Sequence, residues 1–551
     1  MIQEKLVKLY ETSFKYNWEL PALTDYGESK TLSYAELALE IEKIHILFDA
    51  CKLRQGDKVA LIGKNNTQWC IMYMATVTYG AVIVPILQDF NPNDVHHIIN
   101  HSQSSLLFCS DTIWETIEED KIDEVRGVFS LTDFRVLYQQ GGEEFNHILS
   151  QIDSLLSAKY PSGFSKENLQ YPDVSNEEIV ELNYTSGTTG FSKGVMVMGN
   201  NLAGNITYAH RQQLLHPRDK MVSFLPLAHT YGCAFEFLYP LSEGCHITLL
   251  GKVPSPKILL KAMEEIRPHL IIAVPLILEK VYKNTILPQL GKRFMRWALN
   301  IPLLDHQIYH QIRKKLIDAF GGRFTQVIIG GAPLNAEVEA FLLKIKFPFT
   351  VGYGMTECAP LISFDHHQDF VPTSCGTILD IMEVRIDSTD PYSVAGEIQI
   401  KGENVMAGYY RNEEATKNTF TEDGWLKTGD LGTIDSKGHV FIRGRSKSMI
   451  LGANGQNIYP EEIEAKLNNL PFIMESLVVE RNRKLVALVY PDYEAVDGTG
   501  VQNSDLPVIM EENRKKLNEI VASYEQIAEI QLYPTEFDKT PKKSIKRYLY
   551  H

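Results

Sequence analysis

The chain has few cysteines, and those it has follow no pattern. Its seven cysteines form no Cys-x-x-Cys pair and show no His/Cys spacing typical of a metal site. An odd, scattered set of cysteines is typical of reduced thiols in a cytoplasmic protein, where they act as small buried apolar side chains. We therefore expect a cytoplasmic location with free, mostly buried cysteines.

Long apolar runs are also missing, and we expect no leader peptide. The most apolar run, residues 270–278, contains Pro275 and is far shorter than the roughly 20 residues of a membrane-spanning helix. We expect this run to form a core strand. Residues 1–8 are charged and lack the apolar core of a signal peptide.

Basic residues are outnumbered. The 54 lysines and arginines face 69 acidic residues, which gives a net charge of −15. Nucleic-acid binding needs a basic field, so this balance argues against a nucleic-acid partner. No stretch stands out as a basic amphipathic membrane helix, although peripheral membrane contact stays open. The sequence makes no prediction of an oligomeric state.

Length and texture predict more than one domain. With 551 residues, 44% of them hydrophobic, the chain is globular and too long for one ordinary core. Strands such as residues 58–62 and 104–109 alternate with helices, the first of which opens with a capping box at residues 33–36. This alternation predicts an α/β fold with a large N-terminal domain, residues 1–444, built of parallel-rich sheets with helical layers.

The texture changes to short strands and turns from about residue 395. We predict a small β-rich subdomain over residues 395–444 and a small, mobile α+β lid domain over residues 445–551. Within the lid we expect two helices, a hairpin and a loop, at residues 460–468, 508–524, 476–490 and 492–505.

Residues 184–194 combine glycines, hydroxyl side chains and one lysine (YTSGTTGFSKG) between two apolar-leaning runs. Glycines let backbone N–H groups turn inward, hydroxyls add donors and the lysine adds charge, which together suit a polyphosphate. The order differs from that of the nucleoside-kinase loop, because Lys193 follows Ser192 and precedes Gly194. We predict a phosphate-binding loop between two strands, in preference to a solvated linker.

Two further glycine turns follow predicted strands. Gly330 and Gly331 come after a strand at residues 326–329, where a flat ring could approach closely, although a plain turn explains them equally well. In the sequence GYGMTE, residues 352–357, Tyr353 can stack on a base and Glu357 can hold Mg²⁺ through oxygen. The alternative for Glu357 is a structural ion pair.

An aspartate and a polar block complete the set. Asp430 follows a glycine turn and can accept hydrogen bonds from ribose hydroxyls, or it can serve the turn alone. Residues 444–447 (GRSK) precede a second glycine loop and a helix that starts at Pro460.

In this order, the motifs resemble the successive core motifs of the adenylate-forming superfamily, from about residue 10 to the C-terminus. The segments 225–232 (LPLAHTYG) and 274–282 (VPLILEKVY) are most similar to the long-chain fatty acyl-CoA synthetase branch. The resemblance implies an acid–thiol ligase that uses ATP, Mg²⁺ and coenzyme A. The acid would be a small-molecule carboxylic acid, and a medium- or long-chain fatty acid is the leading expectation.

The resemblance also implies roles for particular residues. The phosphate cradle would comprise Thr185, Ser186, Gly187, Thr188, Thr189, Gly190 and Lys193. The nucleoside would be held by Gly331, Ala332, Pro333, Tyr353, Gly354, Asp430 and Arg445. Thr356 would contact the α-phosphate, Glu357 and Thr185 would hold Mg²⁺, and Lys447 would be the hinge. The acyl pocket would be bordered by His229, Val274 and Pro275. The catalytic group would comprise Lys193, Thr356, Glu357 and Lys543.

Two positions depart from the family pattern. Ser192 stands where a proline usually precedes Lys193, which loosens a turn without removing a donor. In the tail, Ser544 occupies the place of the adenylation lysine, and serine carries no positive charge. Lys543 is adjacent and would substitute if the loop shifts by one residue.

Two alternatives remain open. One keeps the adenylation step but uses an aryl acid such as o-succinylbenzoate, or transfers the acyl group to a carrier-protein thiol. The other, of a different class, is a nucleotide- or acyl-adenylate-binding protein with little turnover, which Ser544 would explain.

Overall fold

The structure is a computed structural model that describes residues 2–185, 192–251, 255–301, 304–451, 457–540 and 544–550. Helices and strands alternate through most of the chain. The helices are α1 Leu6–Tyr16, α2 Tyr34–Ala50, α3 Thr67–Tyr79, α4 Pro92–Ser102, α5 Asp111–Trp114, α6 Glu144–Lys159, α7 Gly199–Gln212, α8 Thr230–Gly232, α9 Tyr239–Glu243, α10 Pro256–Ile266, α11 Pro275–Val281, α12 Leu287–Leu290, α13 Arg293–Ala298, α14 Leu304–Ala319, α15 Ala336–Lys344, α16 Glu413–Thr419, α17 Pro460–Leu467, α18 Tyr493–Thr499 and α19 Leu506–Ile520. Two π-helical segments, Cys233–Leu238 and Tyr282–Ile286, interrupt the α-helices, and 3₁₀ turns cover Glu119–Lys121, Thr356–Cys358, Asn503–Asp505, Ser523–Glu525 and Arg547–Leu549.

The strands fall into several sheets. They are β1 Pro21–Asp25, β2 Thr31–Ser33, β3 Lys58–Ile62, β4 Val82–Ile86, β5 Ser104–Cys109, β6 Gly127–Ser130, β7 Val136–Gln139, β8 Ile179–Thr185, β9 Lys193–Met198, β10 Lys220–Ser223, β11 His246–Leu249, β12 Ile271–Ala273, β13 Val327–Ile329, β14 Phe349–Val351, β15 Tyr353–Gly354, β16 Leu361–Phe364, β17 Thr377–Ile378, β18 Met382–Asp387, β19 Gly396–Gly402, β20 Leu426–Ile434, β21 Val440–Arg445, β22 Ile450–Leu451, β23 Asn457–Ile458, β24 Ile473–Arg481, β25 Lys484–Pro491 and β26 Glu529–Leu532.

The largest sheet has seven strands in the order β7-β6-β5-β3-β4-β8-β9. Its central strands β6, β5, β3, β4 and β8 run parallel, and β7 and β9 close the two edges antiparallel. A second sheet, β10-β11-β1-β2, is mixed, and β12-β13-β14 is parallel. Helices supply the crossovers that parallel pairing requires, so the predicted α/β fold with parallel-rich sheets is confirmed.

Residues 382–445 form the antiparallel sheet β18-β19-β20-β21. Past residue 450, the chain makes a hairpin, β24 and β25, which β26 joins in parallel. The buried apolar side chains divide along the chain in the same way. One cluster extends from Leu6 to Val440, and two smaller clusters draw their members from Ile450 to Tyr550.

Local rules account for the start of α2. The Ser33 hydroxyl accepts a hydrogen bond from Glu36 N, and the Glu36 carboxylate accepts one from Ser33 N at 2.7 Å. This reciprocal pairing satisfies two backbone donors that a helix start leaves open. The predicted capping box is therefore confirmed.

Two local expectations were wrong. Residues 270–278 do not form one core strand, because β12 ends at Ala273 and Pro275 begins helix α11, a position at which proline's fixed φ is favourable. Residues 492–505 are not a plain loop. Asp492 caps helix α18 by accepting from Ala495 N, and Val496 packs into the core.

The described residues contain no helix long and apolar enough to span a bilayer. The cysteines are free, and all are buried except Cys375, which is half-buried.

Candidate active site

The strands that flank the glycine- and hydroxyl-rich loop form a hairpin. Strands β8 and β9 pair antiparallel, with Tyr184 opposite Gly194 and Thr185 opposite Lys193. A Cβ at Gly194 would lie 3.0 Å from Cζ of Tyr184, so glycine leaves room for that ring. Thr185 and Lys193 thus stand at the two ends of the loop, whose residues Ser186, Gly187, Thr188, Thr189 and Gly190 lie outside the described part of the chain.

Lys193 and Glu357 both contact the same side chain, that of Tyr409. The Lys193 ammonium lies 5.0 Å from the ring centroid of Tyr409, a cation–π distance. The hydroxyl of the same Tyr409 donates to Oε1 of Glu357 at 2.8 Å. Tyr409 is buried, and burial next to Glu357 raises the pKa of its hydroxyl, so Tyr409 remains a neutral donor.

The segment that carries Tyr409 lies along the outer edge of β9. Met196 N donates to Gly408 O at 2.9 Å, and Tyr410 N donates to Gly194 O at 2.8 Å. These bonds connect the β8–β9 hairpin to the chain around residue 409. Tyr409 was not among the predicted site residues. A glycine followed by two tyrosines was the available signal, but it shows neither contact.

Glu357 and Thr356 lie on a tight turn. The 3₁₀ turn Thr356–Cys358 follows strand β15, and Met406 N donates to Glu357 O at 2.9 Å. Thr356 is buried and Glu357 is half-buried. A Cβ at Gly354 would lie 2.4 Å from Pro360 O, so this position requires glycine.

Asp430 is held from two sides. Its Oδ2 accepts from the Tyr353 hydroxyl at 2.6 Å, and its Oδ1 lies 2.8 Å from Nε of Arg445. Asp430 lies on β20 and Arg445 opposite it on β21. Burial raises the pKa of Asp430, and Arg445 and Tyr353 act against that rise. The structure thus brings together three residues that were predicted separately.

Gly331, Ala332 and Pro333 lie after Gly330 at the carboxyl end of β13, and we call these three residues the glycine shelf. A Cβ at Gly330 would lie 2.9 Å from Cζ of Tyr231, and the Tyr231 hydroxyl donates to Ile328 O at 3.1 Å. Gly331 has φ +86°, and the nearest atom to a Cβ there would be Cγ1 of Val274 at 3.8 Å. The shelf residues Gly331, Ala332 and Pro333 are all exposed.

This shelf also joins the two segments expected to border an acyl pocket. Tyr231 follows His229, whose Nδ1 accepts from Tyr231 N at 3.2 Å and caps α8. Val274 is half-buried and Pro275 is buried at the start of α11. Both segments therefore reach the carboxyl end of a parallel sheet, where α/β proteins bind ligands.

The residue predicted as the hinge, Lys447, and the tail residue Ser544 are both exposed. Lys447 is exposed in the turn that follows β21. Ser544 is also exposed, and its carbonyl oxygen accepts a hydrogen bond from Thr540 N at 2.8 Å. Lys543 lies outside the described residues. Arg547 anchors the end of the tail by contacting the buried Glu464 of α17, whose pKa burial raises to about 7.

The donor set fits Mg²⁺. Glu357 offers a carboxylate from the turn after β15 and Thr185 a hydroxyl from the end of β8, and both side chains are half-buried. Within the described ranges no group of three or more His, Cys, Asp and Glu side chains could form a metal cage. Mg²⁺ commonly binds one or two protein oxygens and completes its shell with phosphate and water.

The family follows from comparison with known proteins. A sequence profile described as AMP-binding enzyme matches residues 10–410, which is most of the chain. The chain belongs to this family and is an adenylate-forming ligase. The resemblance seen in the motifs is thereby confirmed.

Individual proteins resemble the chain over nearly its full length. The long-chain-fatty-acid–CoA ligase FadD15 of Mycobacterium bovis is 27% identical and the match covers 93% of this chain and 89% of that protein. ATP-bound MatB of Rhodopseudomonas palustris superposes with a TM-score of 0.74 at 23% identity, covering 98% of each chain. AMP-bound MenE of Bacillus subtilis, an O-succinylbenzoate coenzyme A synthetase, gives 0.74 at 21%, covering 98% and 97%. The two structures establish the fold.

Proposed function

We propose that the protein joins a medium- or long-chain fatty acid to coenzyme A at the expense of ATP, releasing AMP and pyrophosphate. The observation that carries the proposal is the convergence of Lys193 and Glu357 on Tyr409, next to the hairpin that holds the phosphate loop. The names of curated relatives such as FadD15 support a fatty acid as the substrate.

The nucleoside would bind between the glycine shelf and Asp430. Exposed Gly331, Ala332 and Pro333 would offer backbone and apolar surface to adenine, and Tyr353 and Gly354 would complete the pocket. A carboxylate has about four acceptor sites, so Asp430 can keep Tyr353 and Arg445 and still accept from ribose hydroxyls.

In the first half-reaction, a carboxylate oxygen of the acid attacks the α-phosphorus of ATP, and the bond to the pyrophosphate oxygen breaks. Lys193 and the loop donors hold the β- and γ-phosphates, and Thr356 holds the α-phosphate. Their work is to position the reactants and to stabilise charge. Mg²⁺ held by Glu357 and Thr185 would neutralise part of the phosphate charge.

In the second half-reaction, the coenzyme A thiolate attacks the acyl carbonyl carbon. The bond to the phosphate oxygen breaks, so AMP leaves with one oxygen that came from the acid. We propose that residues 445–551 form the lid that turns about Lys447 between the two steps and shields the adenylate from water. Separate hydrophobic clusters on the two sides of this boundary support such a division.

We assign the adenylation lysine to Lys543. Ser544 is exposed and carries no charge, whereas its neighbour in the sequence, Lys543, carries an ammonium group. We also place the protein in the cytoplasm, because free cysteines suit a reducing compartment.

Product analysis tests the proposal. Purified protein would be incubated with ATP, Mg²⁺, coenzyme A and a graded panel of acids, including o-succinylbenzoate, and the products identified by mass spectrometry. Fatty acyl-CoA together with AMP is the expected result. Activity confined to aryl acids would show that the substrate is not a fatty acid. Acyl transfer only to a carrier-protein thiol would show that the acceptor is not coenzyme A. ATP binding with no AMP from any acid would show a binding protein.

A further inference from the structure

The connection between strand β10 and helix α8 carries His229, which was predicted to border the acyl pocket. We call residues 223–229 the β10–α8 segment. Its residues are buried except Pro226 and His229, which are half-buried, and past Ser223 the segment forms neither helix nor strand. Buried backbone N–H and C=O groups outside regular structure need hydrogen-bond partners, because they have lost their bonds to water.

Two buried side chains supply partners to the first part of the β10–α8 segment. Phe224 N and Leu225 N donate to Oε2 of Glu236 at 3.0 and 2.9 Å. Asn65 Nδ2 donates to Leu225 O at 2.6 Å, and Leu227 N donates to Asn65 Oδ1 at 3.0 Å. Asn65 comes from the chain after β3 and Glu236 from a π-helical segment, so two separate elements hold this part in place.

A third buried side chain, that of Asn183, holds the end of the segment next to His229. Asn183 Nδ2 donates to Ala228 O at 3.2 Å and to Oε1 of Glu181 at 2.8 Å. Glu181 and Asn183 share one face of β8, because side chains two residues apart in a strand do so. The other carboxylate oxygen of Glu181 accepts from the Tyr73 hydroxyl of α3 at 2.5 Å. The amide of Asn183 is therefore oriented by two fixed acceptors.

Strand β8 connects this amide to the phosphate loop. Asn183 lies two residues before Thr185, where β8 ends and the loop begins, and it pairs with Val195 of β9. One side chain thus joins the strand that leads into the phosphate loop to the segment that carries His229.

We propose that Asn183 is a positioning residue that holds the β10–α8 segment in a fixed place relative to the phosphate loop, and so sets the approach of the acid's carboxylate to ATP. This role rests on the proposed function. The reacting atoms of a bound pair must lie about 3–3.5 Å apart, and a displacement of about 1 Å can cost about a hundredfold in rate. Asn183 acts through the backbone of Ala228 and needs no contact with either substrate.

Kinetics of a near-isosteric variant test the proposal. Asn183→Leu keeps the approximate size of the side chain and removes the hydrogen bonds to Ala228 and Glu181. We expect acyl-adenylate formation to slow by about tenfold or more and the KM for the fatty acid to rise. The Kd for ATP alone is expected to stay at its wild-type value, because the amide contacts the acid side of the site. Asn183→Ser, which avoids a new apolar group in the core but is too short for both bonds, is expected to show the same pattern.

A matched control separates positioning from a general loss of stability. Asn176 is also buried, accepts from Leu6 N at 3.0 Å and donates to Glu4 O at 2.9 Å, at the end of β8 that lies away from the phosphate loop. Asn176→Leu is expected to lower the melting temperature as Asn183→Leu does and to keep wild-type kinetics.

Hydrogen exchange measures the same connection without turnover. ATP and Mg²⁺ are added without acid or coenzyme A, and peptides that cover β8, β9 and the β10–α8 segment are followed by mass spectrometry. In the wild type and in Asn176→Leu, ATP is expected to slow amide exchange in both strands and in the segment, because ordering of one reduces local opening of the other. In Asn183→Leu, we expect protection of the strands alone.

Several results would overturn the proposal. They are wild-type adenylation kinetics in both Asn183 variants, equal kinetic losses in Asn176→Leu, and ATP-induced protection of the β10–α8 segment that is absent from the wild type or persists in Asn183→Leu. Wild-type protein that makes no AMP from any acid, yet shows protection that depends on Asn183, would count against the proposed function alone.

Discussion

Removal of one hydroxyl group from Tyr409 gives a sharp test of the active-site geometry. In Tyr409→Phe, the ring beneath Lys193 stays in place at its 5.0 Å contact, while the 2.8 Å hydrogen bond to Glu357 is lost. The change therefore separates the orientation of the carboxylate from the position of the lysine.

The structure sets the expected magnitude. Hydrogen bonds to charged groups contribute about 1.5–3 kcal/mol, and the half-buried Glu357 places this one at the lower end. A loss of about 1.5 kcal/mol corresponds to a roughly tenfold fall in kcat/KM. Tyr409→Leu also removes the cation–π contact, which is worth about 0.5–1 kcal/mol, so its fall is expected to be roughly two- to fivefold larger.

Pyrophosphate release at a series of Mg²⁺ concentrations provides the assay. We expect Tyr409→Phe to require more Mg²⁺ for half-maximal rate, because Glu357 loses its fixed orientation, and to change the melting temperature little. Tyr410→Phe is the matched control, since its hydroxyl reaches Gln103 only at 3.5 Å. Equal effects at 409 and 410, or wild-type kinetics for Tyr409→Phe, would refute the reasoning.

Three further predictions concern the nucleoside, the core and the tail. Asp430→Asn, which removes the charge paired with Arg445, should raise the KM for ATP by about tenfold with a smaller change in kcat. Its control is Asp423→Asn, in the exposed pair with Arg385, which should leave ATP kinetics unchanged. Equal effects of the two variants would contradict a role for Asp430. Burial raises the pKa of Glu236 well above its unfolded value, so the folded state binds the extra proton and this group's contribution to stability falls as pH rises above about 4.5, by about 1.4 kcal/mol per pH unit. The melting temperature of Glu236→Gln relative to wild type should therefore rise between pH 5 and pH 8 in thermal unfolding, and a constant difference would show that Glu236 does not titrate. Lys543→Ala should slow acyl-adenylate formation by about a hundredfold and leave thioester formation from added adenylate unchanged. Adding Ser544→Lys to the Lys543→Ala variant should restore much of the rate of adenylate formation. An unchanged adenylation rate of Lys543→Ala in stopped-flow measurements would exclude Lys543 as the adenylation lysine.

Elements governed by local rules could be predicted from the sequence. Strands Lys58–Ile62 and Ser104–Cys109 have the predicted bounds, because each is an apolar run with clear breaks on both sides. The loop between β8 and β9 followed from glycines flanked by β-branched runs. The prediction of one strand at 270–278 was wrong because periodicity does not distinguish a buried strand from a buried helix start. Pro275 was the local signal for the helix.

The active site could be predicted only as separate motifs. Asp430, Tyr353 and Arg445 each had an expected role. Their hydrogen bond and ion pair depend on strand pairing across the β18–β21 sheet and on β15. The contact of Tyr409 was not predicted because its partner Glu357 is 52 residues away in the chain. Spacing reports neighbours along a helix or strand, whereas this contact arises from tertiary packing.

Buried Glu236 is a second residue whose contacts could not be predicted from the sequence. It lies in the apolar run Cys233–Leu238 and accepts hydrogen bonds from Phe224 N and Leu225 N at 3.0 and 2.9 Å. An acidic residue between two phenylalanines was the available signal. Its partners come from the segment after β10, which the sequence does not place beside it.

Isotope transfer tests the central claim most directly. A fatty acid labelled with ¹⁸O in both carboxylate oxygens is supplied with ATP, Mg²⁺ and coenzyme A, and the nucleotide product is analysed by mass spectrometry. Attack of the carboxylate on the α-phosphorus predicts AMP that carries one ¹⁸O and acyl-CoA that keeps the other. Unlabelled AMP, or ADP with the label in orthophosphate, would contradict an acyl-adenylate route.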